Sequence, residues 1–321
     1  MEKYLITGFS GFVSKHFLDF LEQNEVASAV LGIDLNKPEF DLSKYKKVNG
    51  SFQHVDLLNK EDVDRVIQQF QPDYILHLAS YSSVAFSWQN PVASFTNNTN
   101  IFLNLIERVR ALGIKCRILS VGSSEEYGNV SPSDLPLRED HLLNPVSPYA
   151  VARVAQELLS KVFVAGYGSD IVLTRSFNHI GPGQKDIFVI ASFAKKLIDI
   201  KQKKVASNEL ATGDLAIVRD FVDVRDVVRA YYLLLKKGKQ GEIYNICSGK
   251  GTSLAEVLEK MAKIIGVEID HRLDKRFVRP DDIRVVVGSN DKIRKDVGWK
   301  NEIELDKSLR DILDYYTISS T

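Results

Sequence analysis

Tyr149 and Arg153 are the residues in this chain whose types and spacing best fit acid–base chemistry. They are four positions apart, so on a helix both side chains lie on one face. A cation held beside a phenol stabilises the phenolate, and such a phenol gives and takes a proton more readily near neutral pH. Ser123 lies upstream, where we expect a strand to end, and its hydroxyl could polarise the same substrate oxygen. The three residues together predict a proton-transfer site.

A turn containing two glycines occupies residues 8–14, near the start of the chain. It follows an apolar strand pattern at residues 3–7 and precedes a helical pattern that begins at Phe12. Glycines at such a turn let the backbone approach a pyrophosphate, which then lies at the N-terminus of the helix. Ser14 occupies the third position of the motif, and this small residue still permits close packing of the helix. The turn predicts a dinucleotide-binding site.

Asp34 ends the second predicted strand, at the distance from the turn where a carboxylate reaches an adenosine ribose. A carboxylate favours a free 2′-hydroxyl and repels a 2′-phosphate. Asn36 and Lys37 follow directly and could tolerate that phosphate. The pattern therefore favours NADH and leaves NADPH open, and an Asp that only closes a turn is the alternative.

Alternating strand and helix patterns over the first half of the chain predict an α/β fold. Continuous apolar strands separated by helices indicate a Rossmann-type, doubly wound parallel sheet covered on both faces. The C-terminal part is less regular and suggests a smaller α/β domain interleaved with the first. The predicted strands are 3–7, 27–34, 74–78, 116–120 and 171–174, and the predicted helices are 12–22, 61–69, 97–112, 149–166, 254–265 and 307–316.

The composition excludes several classes of function. The chain has 321 residues and no net formal charge, which gives no sign of a nucleic-acid-binding face. No apolar run approaches the length of a membrane span, and the chain enters its first strand without a signal segment. The six histidines are scattered and form no pattern of metal ligands. We expect a cytoplasmic protein without a metal, a nucleic-acid partner or a membrane partner.

The motifs resemble those of the extended short-chain dehydrogenase/reductases that modify nucleotide sugars. The resemblance extends over nearly the whole chain, as far as Gly298 and Trp299. Residues 175–186, 188–192 and 219–224 look most like the GDP-4-dehydro-6-deoxy-D-mannose reductases, whose relatives include the GDP-mannose 4,6-dehydratases. The residues that carry the family resemblance are Thr7, Gly8, Gly11, Asp56, Leu57, His77, Leu78, Ala79, Asn98, Ser123, Tyr149 and Arg153.

The resemblance implies a role for each matching residue. The catalytic residues would be Tyr149, Ser123, Arg153 and Glu125. The residues that bind NADH or NADPH would be Gly8, Gly11, Phe12, Asp34, Asp56, Leu57, Leu78, Ala79, Ser80, Asn98, Tyr149 and Arg153. The residues that face the sugar nucleotide would be Ser123, Glu125, Asn178, Arg219, Arg279 and Asp282. Residues 1–177 with 220–247 would form the dinucleotide-binding domain, and residues 178–219 with 248–321 the nucleotide-sugar-binding domain.

The implied reaction is reduction of the C4 keto group of GDP-4-dehydro-6-deoxy-D-mannose to GDP-D-rhamnose, with hydride from NAD(P)H. The family usually has Lys where this chain has Arg153. An arginine keeps the positive charge and the hydrogen-bond donors, but it does not lose a proton in a relay. Water or a ribose hydroxyl would then have to return the proton to Tyr149.

Three alternatives stay open from the sequence. Residues 123–128 resemble a stretch of the 4,6-dehydratases in which the residue matching Glu125 removes a proton at C5 of the sugar. Dehydratase activity, alone or beside reduction, is therefore one alternative, and 4-epimerisation is another. The missing Lys raises a third, a non-catalytic dinucleotide-binding protein. The intact Ser123 and Tyr149 argue against that third alternative.

The resemblance also implies a homodimer. The predicted helices 97–112 and 149–166 would form a four-helix contact with the same helices of a second copy. Ile101, Val109 and Leu158 are the apolar residues expected on the outward faces.

Overall fold

A parallel sheet of seven strands forms the larger part of the fold. The computed structural model describes residues 1–205, 207–277 and 283–319. The strands of the described chain are β1 (Glu2–Thr7), β2 (Ser28–Asp34), β3 (Val48–His54), β4 (Tyr74–His77), β5 (Arg117–Ser123), β6 (Ile171–Ser176), β7 (Asn178–Ile180), β8 (Glu209–Thr212), β9 (Val218–Asp223), β10 (Ile243–Ile246), β11 (Gly251–Ser253), β12 (Asp270–Leu273) and β13 (Val285–Val286). The helices are α1 (Phe12–Gln23), α2 (Lys60–Phe70), α3 (Val84–Gln89), α4 (Pro91–Ala111), α5 (Pro148–Tyr167), α6 (Val189–Lys201), α7 (Val224–Lys237), α8 (Leu254–Ile265), α9 (Asp291–Val297) and α10 (Leu305–Ser319).

The large sheet has the strand order β3-β2-β1-β4-β5-β6-β10, and every neighbouring pair is parallel. Between β1 and β4 the chain reverses the direction in which it adds strands. In open α/β sheets the carboxyl ends of two such strands border a crevice, and ligands bind there. The predicted doubly wound parallel sheet is confirmed.

Both faces of this sheet are covered by helices. Tyr4 and Ile6 of β1 pack on the side of α1 and α7, whereas Leu5 packs on the side of α2, α4 and α5. All three side chains are fully buried. Burial on both faces explains why the sequence of β1 reads as a continuous apolar run.

A second group of elements surrounds β9. This strand pairs with β7, β11 and β13, and a separate pair of strands is formed by β8 and β12. Helices α6, α8 and α10 pack together over an apolar core that includes Phe221 of β9. The next residue, Val222, packs in the core of the seven-stranded sheet. The sequence-based boundary between residues 219 and 220 therefore falls inside β9, and the division into two interleaved domains stays a prediction.

Helices α4 and α5 lie side by side on the large sheet. The prediction that Ile101 and Val109 face outward was wrong, because both are buried, at 4% and 7% exposure. They belong to the stripe of α4 that packs on the sheet. Leu158 of α5 is 52% exposed, as expected. Other exposed apolar side chains on the two helices are Val92, Phe95, Val151, Val162 and Tyr167.

The described parts of the chain contain neither a membrane-spanning helix nor a cluster of metal ligands. No helix there combines the length and the apolar character needed to cross a membrane. No group of three or more His, Cys, Asp or Glu side chains is placed there to hold a metal ion.

Candidate active site

Tyr149 and Arg153 lie in the first two turns of α5. The hydroxyl of Ser147 caps this helix by accepting a hydrogen bond from the backbone N–H of Ala150 at 3.1 Å. The cap fixes the start of the helix, and Tyr149 and Arg153 consequently lie on one face, at 6% and 5% exposure. Nε of Arg153 donates a hydrogen bond to the hydroxyl oxygen of Tyr149 at 3.2 Å. The predicted contact between the phenol and the cation is therefore present.

The guanidinium of Arg153 is anchored on its other side. Nη1 donates to the carbonyl oxygen of Val121 at 2.9 Å and to Oε1 of Gln156 at 2.7 Å. Val121 belongs to β5, two residues before Ser123, so Arg153 is tied to the strand that carries the predicted catalytic serine. The motifs did not predict a role for Gln156. Its position three residues after Arg153 on a helix is nevertheless one at which side chains meet.

Ser123 is the last residue of β5 and lies opposite Ser176 of β6. Its hydroxyl oxygen accepts a hydrogen bond from the backbone N–H of Glu125 at 3.2 Å, which caps the 3-10 turn Ser124–Tyr127. The hydroxyl proton of Ser123 is not used by this contact. Ser123 therefore has a donor that could meet a substrate oxygen.

Glu125 and Glu126 occupy the same short turn but differ in burial. Glu125, the candidate dehydratase base, is half-buried. Glu126 is completely buried, and its Oε1 accepts the backbone N–H of Ser123 at 2.6 Å. Burial and the nearby charge of Glu157 raise the pKa of Glu126 to about 8. The sequence reasoning missed Glu126, since only its burial distinguishes it from its neighbour.

The glycine turn and the loop after β4 form a narrow cradle. Gly8 has a φ of +67°, and a Cβ at this position would lie 2.7 Å from the backbone nitrogen of Ala79. Only glycine fits this close approach. The hydroxyl oxygen of Thr7 accepts hydrogen bonds from the backbone N–H groups of Leu78 and Ala79, at 3.2 and 3.1 Å. The ends of β1 and β4 are thereby held together at the crevice.

The N-terminus of α1 faces this cradle without a capping side chain. Gly11 is the residue before the helix, and its position makes no side-chain capping hydrogen bond. The hydroxyl of Ser14 donates to the carbonyl oxygen of Gly8 at 3.2 Å and so closes the turn. Backbone N–H groups in the first turn, beginning at Phe12, suit a pyrophosphate. The cradle and the uncapped helix together fit a dinucleotide.

Asp34 is the last residue of β2, and Asp56 lies two residues after the end of the neighbouring strand β3. Both carboxylates accept backbone hydrogen bonds. The two carboxylate oxygens of Asp34 accept the N–H groups of Ser10 and Asn36, both at 3.0 Å. Oδ1 of Asp56 accepts the N–H of Leu58 at 2.9 Å, and Leu57 is buried. A carboxylate has about four acceptor positions, so Asp34 retains capacity for ribose hydroxyls.

Asn98 and Ser80 lie by the loop that follows β4. The side chain of buried Asn98 brackets Tyr81: its oxygen accepts the backbone N–H at 2.8 Å and its nitrogen donates to the carbonyl at 3.2 Å. The hydroxyl of Ser80 is buried and has no hydrogen-bond partner among the described residues. Asn98 thus holds the loop in shape, and Ser80 offers a hydroxyl that a ligand could bind.

His77, one of the residues that carry the family resemblance, lies at the end of β4. Its Nδ1 lies 2.9 Å from the hydroxyl oxygen of Thr7, which already accepts two backbone hydrogen bonds. Thr7 must therefore donate to Nδ1, and Nε2 carries the ring proton. Burial, together with the charge of Arg153, lowers the pKa of His77 to about 3. The imidazole is neutral at physiological pH.

Two of the residues predicted to face the sugar nucleotide, Asn178 and Arg219, lie in the described part of the chain. Asn178 begins β7 and is half-buried, and Arg219 lies on β9 with 8% exposure. Nη1 of Arg219 donates to the carbonyl oxygen of Ile283 at 2.6 Å. β7 and β9 are paired, which places Asn178 and Arg219 in one sheet. Arg279 and Asp282 lie outside the described residues.

Comparison with known proteins agrees with this geometry. The family model described as GDP-mannose 4,6 dehydratase matches residues 5–312. The chain is 34% identical over 312 residues to GDP-6-deoxy-D-mannose reductase of Pseudomonas aeruginosa, covering 97% of this chain and 96% of the relative. It is 27% identical over 347 residues to GDP-mannose 4,6-dehydratase of Yersinia enterocolitica, covering 96% of this chain and 91% of the relative.

A solved structure has the same fold along its whole length. The structure of RMD from Pseudomonas aeruginosa complexed with NADPH matches with a TM-score of 0.87 and 34% identity, covering 99% of this chain and 100% of that one. The family predicted from the motifs is confirmed. The chain belongs to the GDP-mannose 4,6-dehydratase family, a family of nucleotide-sugar enzymes within the extended short-chain dehydrogenase/reductases.

Proposed function

We propose that this chain is an NAD(P)H-dependent nucleotide-sugar 4-ketoreductase that reduces GDP-4-dehydro-6-deoxy-D-mannose to GDP-D-rhamnose. The observation that carries the proposal is the 3.2 Å hydrogen bond from buried Arg153 to the hydroxyl of Tyr149, at the end of β5 where Ser123 lies. The similarity to GDP-6-deoxy-D-mannose reductase supports the choice of substrate.

The protein's part in the reduction is to supply one proton and to stabilise charge. Tyr149 donates its hydroxyl proton to the C4 oxygen of the sugar, and Ser123 donates a hydrogen bond to the same oxygen. The positive charge of Arg153 stabilises the phenolate that Tyr149 becomes. Arg153 keeps its own protons, so water or a ribose hydroxyl of the cofactor would return the proton to Tyr149.

The residues proposed to bind the cofactor are those around the crevice. Gly8, Gly11 and Phe12 would hold the pyrophosphate, and Asp34 the adenosine ribose. The remaining proposed contacts come from Asp56, Leu57, Leu78, Ala79, Ser80, Asn98, Tyr149 and Arg153. When bound, NADH or NADPH supplies the hydride that the sugar carbon receives.

The sugar nucleotide would lie between this crevice and the elements around β9. Arg219 is proposed to bind the substrate pyrophosphate, because a guanidinium matches phosphate oxygens. Asn178 is proposed to contact the sugar or its phosphates. We also propose a cytoplasmic homodimer whose contact is formed by the exposed apolar faces of α4 and α5.

Dehydration of GDP-mannose is the second candidate, and the place of Glu125 favours it. Glu125 directly follows Ser123 in the turn, and its backbone N–H bonds the hydroxyl of Ser123. Its carboxylate would then remove the proton at C5 of the sugar. A simple ketoreductase needs no base at this position.

Four measurements test these candidates. We expect GDP-4-dehydro-6-deoxy-D-mannose to oxidise NADPH stoichiometrically and to yield GDP-D-rhamnose. Conversion of GDP-mannose to the 4-keto-6-deoxy sugar with catalytic NADP⁺ would instead support a dehydratase, and Glu125→Gln should abolish only that activity. Interconversion of C4 epimers without net NADPH use would indicate an epimerase. Binding of NADPH without conversion of any of these sugars would overturn the enzymatic proposal.

A further inference from the structure

We propose that Gln156 is a positioning residue that holds Arg153 in the orientation needed by Tyr149 and by the cofactor. This inference rests on the proposed function and deepens it. Gln156 touches neither the phenol nor, on this proposal, the substrate, and it acts through the guanidinium of Arg153.

The amide of Gln156 has one orientation that satisfies its surroundings. An arginine side chain has only donors, so Oε1 of Gln156 must face Nη1 of Arg153, at 2.7 Å. Nε2 then donates to the hydroxyl oxygen of Ser120 at 2.9 Å and to the carbonyl oxygen of Val121 at 3.2 Å. Gln156 is 1% exposed, so water cannot replace these partners. A flipped amide would place its NH₂ group against the guanidinium.

The hydrogen bond between Arg153 and Gln156 helps to fix the orientation of the guanidinium group. A guanidinium has five N–H groups in one rigid plane. The Nε proton is used by Tyr149, and the two Nη1 protons are used by Val121 and Gln156. Among the described residues, Nη2 donates no hydrogen bond. Because the group is planar, fixing Nε and Nη1 also fixes Nη2, which on this proposal keeps its two protons for the cofactor.

The neutral amide of Gln156 has a further consequence for charge. Within the described chain, no carboxylate forms an ion pair with Arg153, so its positive charge remains available to the phenolate of Tyr149. A glutamate at position 156 would accept from Nη1 equally well but would neutralise that charge. Among the described residues, titratable groups that interact electrostatically with Arg153 include His77 on β4, Glu126 in the turn after β5 and Tyr231 on α7.

Two substitutions separate positioning from simple packing. Gln156→Met keeps the length of the side chain and removes the acceptor for Nη1. Gln156→Glu keeps the acceptor and adds a negative charge. Ser160→Ala is the matched control, because Ser160 is fully buried one turn further along α5 and bonds Ser120 and the backbone of Gln156 without contacting Arg153.

Three measurements on the full chain test the proposal: the Kd for NADPH by fluorescence, the pH profile of kcat for the 4-keto sugar, and the melting temperature. For Gln156→Met we expect about tenfold weaker NADPH binding and a kcat lowered about 10- to 100-fold. For Gln156→Glu we expect the pH that gives half-maximal kcat to move upward by about one unit, because the added negative charge disfavours the phenolate of Tyr149. Ser160→Ala should change only the melting temperature.

A double-mutant cycle with Arg153→Ala provides the decisive comparison. If Gln156 acts through Arg153, adding Gln156→Met to Arg153→Ala should change the Kd for NADPH less than about twofold. Additive effects, or wild-type NADPH binding by Gln156→Met, would overturn the proposal. The binding cycle needs no turnover. A wild-type protein that binds NADPH but reduces no 4-keto sugar would therefore refute the proposed function, while the cycle still decides the role of Gln156.

Discussion

The backbone N–H of Ser123 donates a 2.6 Å hydrogen bond to a completely buried carboxyl, that of Glu126. The pKa of Glu126 is about 8 in the folded protein, against an ordinary value of 4.5. The folded state therefore binds this proton more tightly than the unfolded chain does. The resulting stabilisation is complete below about pH 4.5 and is lost as the pH rises through about 8.

Glu126→Gln should remove this pH dependence. The glutamine keeps an acceptor for Ser123 and cannot ionise. The free energy of unfolding of Glu126→Gln minus that of wild type should therefore increase by roughly 1 to 4 kcal/mol as the pH is raised from about 5 to about 8.5. Urea unfolding at several pH values measures the difference. Glu259→Gln, on the exposed face of α8, is the control and should show no such trend. Parallel stability curves for wild type and Glu126→Gln would contradict the prediction.

Tyr149→Phe should lower kcat for the 4-keto sugar about 10²- to 10⁴-fold, because it removes the proton donor. The Kd for NADPH should change much less, since the guanidinium of Arg153 keeps its bonds to Val121 and Gln156. Stopped-flow oxidation of NADPH and a fluorescence titration measure the two quantities. Tyr45→Phe removes a hydroxyl that bonds Asp19 and none of the residues assigned to the site, and it should leave kcat unchanged. A near wild-type rate in Tyr149→Phe would refute the mechanism.

Ser123→Ala should have two separable effects. Loss of the hydrogen bond to the substrate oxygen should lower kcat about 10²-fold or more. Loss of the cap on the turn should lower the free energy of unfolding by about 1 kcal/mol. Ser253→Ala removes a comparable cap, on α8, and should give the second effect without the first. Equal kcat values for the two variants would show that Ser123 only caps the turn.

Gly8→Ala should destabilise the protein and weaken NADPH binding. Gly8 and Gly113 have nearly the same φ, +67° and +65°, but a Cβ meets the backbone of Ala79 only at Gly8. Gly113→Ala should therefore cost about 1 to 2 kcal/mol from the left-handed backbone alone. Gly8→Ala should cost about 1 to 3 kcal/mol more from the clash. Chemical unfolding and NADPH titration of both variants test the difference, and equal losses would show that the close approach is unimportant.

The strands of the large sheet were predictable where both faces are buried. β1 and β6 appear in the sequence as apolar runs, and helix α8 has the bounds that its periodicity predicted, Leu254–Ile265. β3 was missed because it is an edge strand in which only Val48 is buried. Its polar residues carry no apolar signal, and pairing with β2 supplies its structure.

The candidate site was predictable to the extent that it depends on spacing along one helix. The four-residue spacing of Tyr149 and Arg153 predicted their contact. The parts that were missed depend on residues distant in the chain: Ser120 is 36 positions from Gln156, and Thr7 is 70 positions from His77. Such contacts follow from strand order, which local patterns do not contain.

The hydroxyl of Thr7 joins the end of β1 to the loop after β4 within the protein itself. The bond from Ser14 to Gly8 likewise closes the glycine turn, so both loops are held by the protein's own hydrogen bonds. Little conformational entropy is lost when the nucleotide binds, so more of the contact energy contributes to affinity. The protein should take up its cofactor at a rate set by diffusional encounter, with no slow rearrangement of the loops.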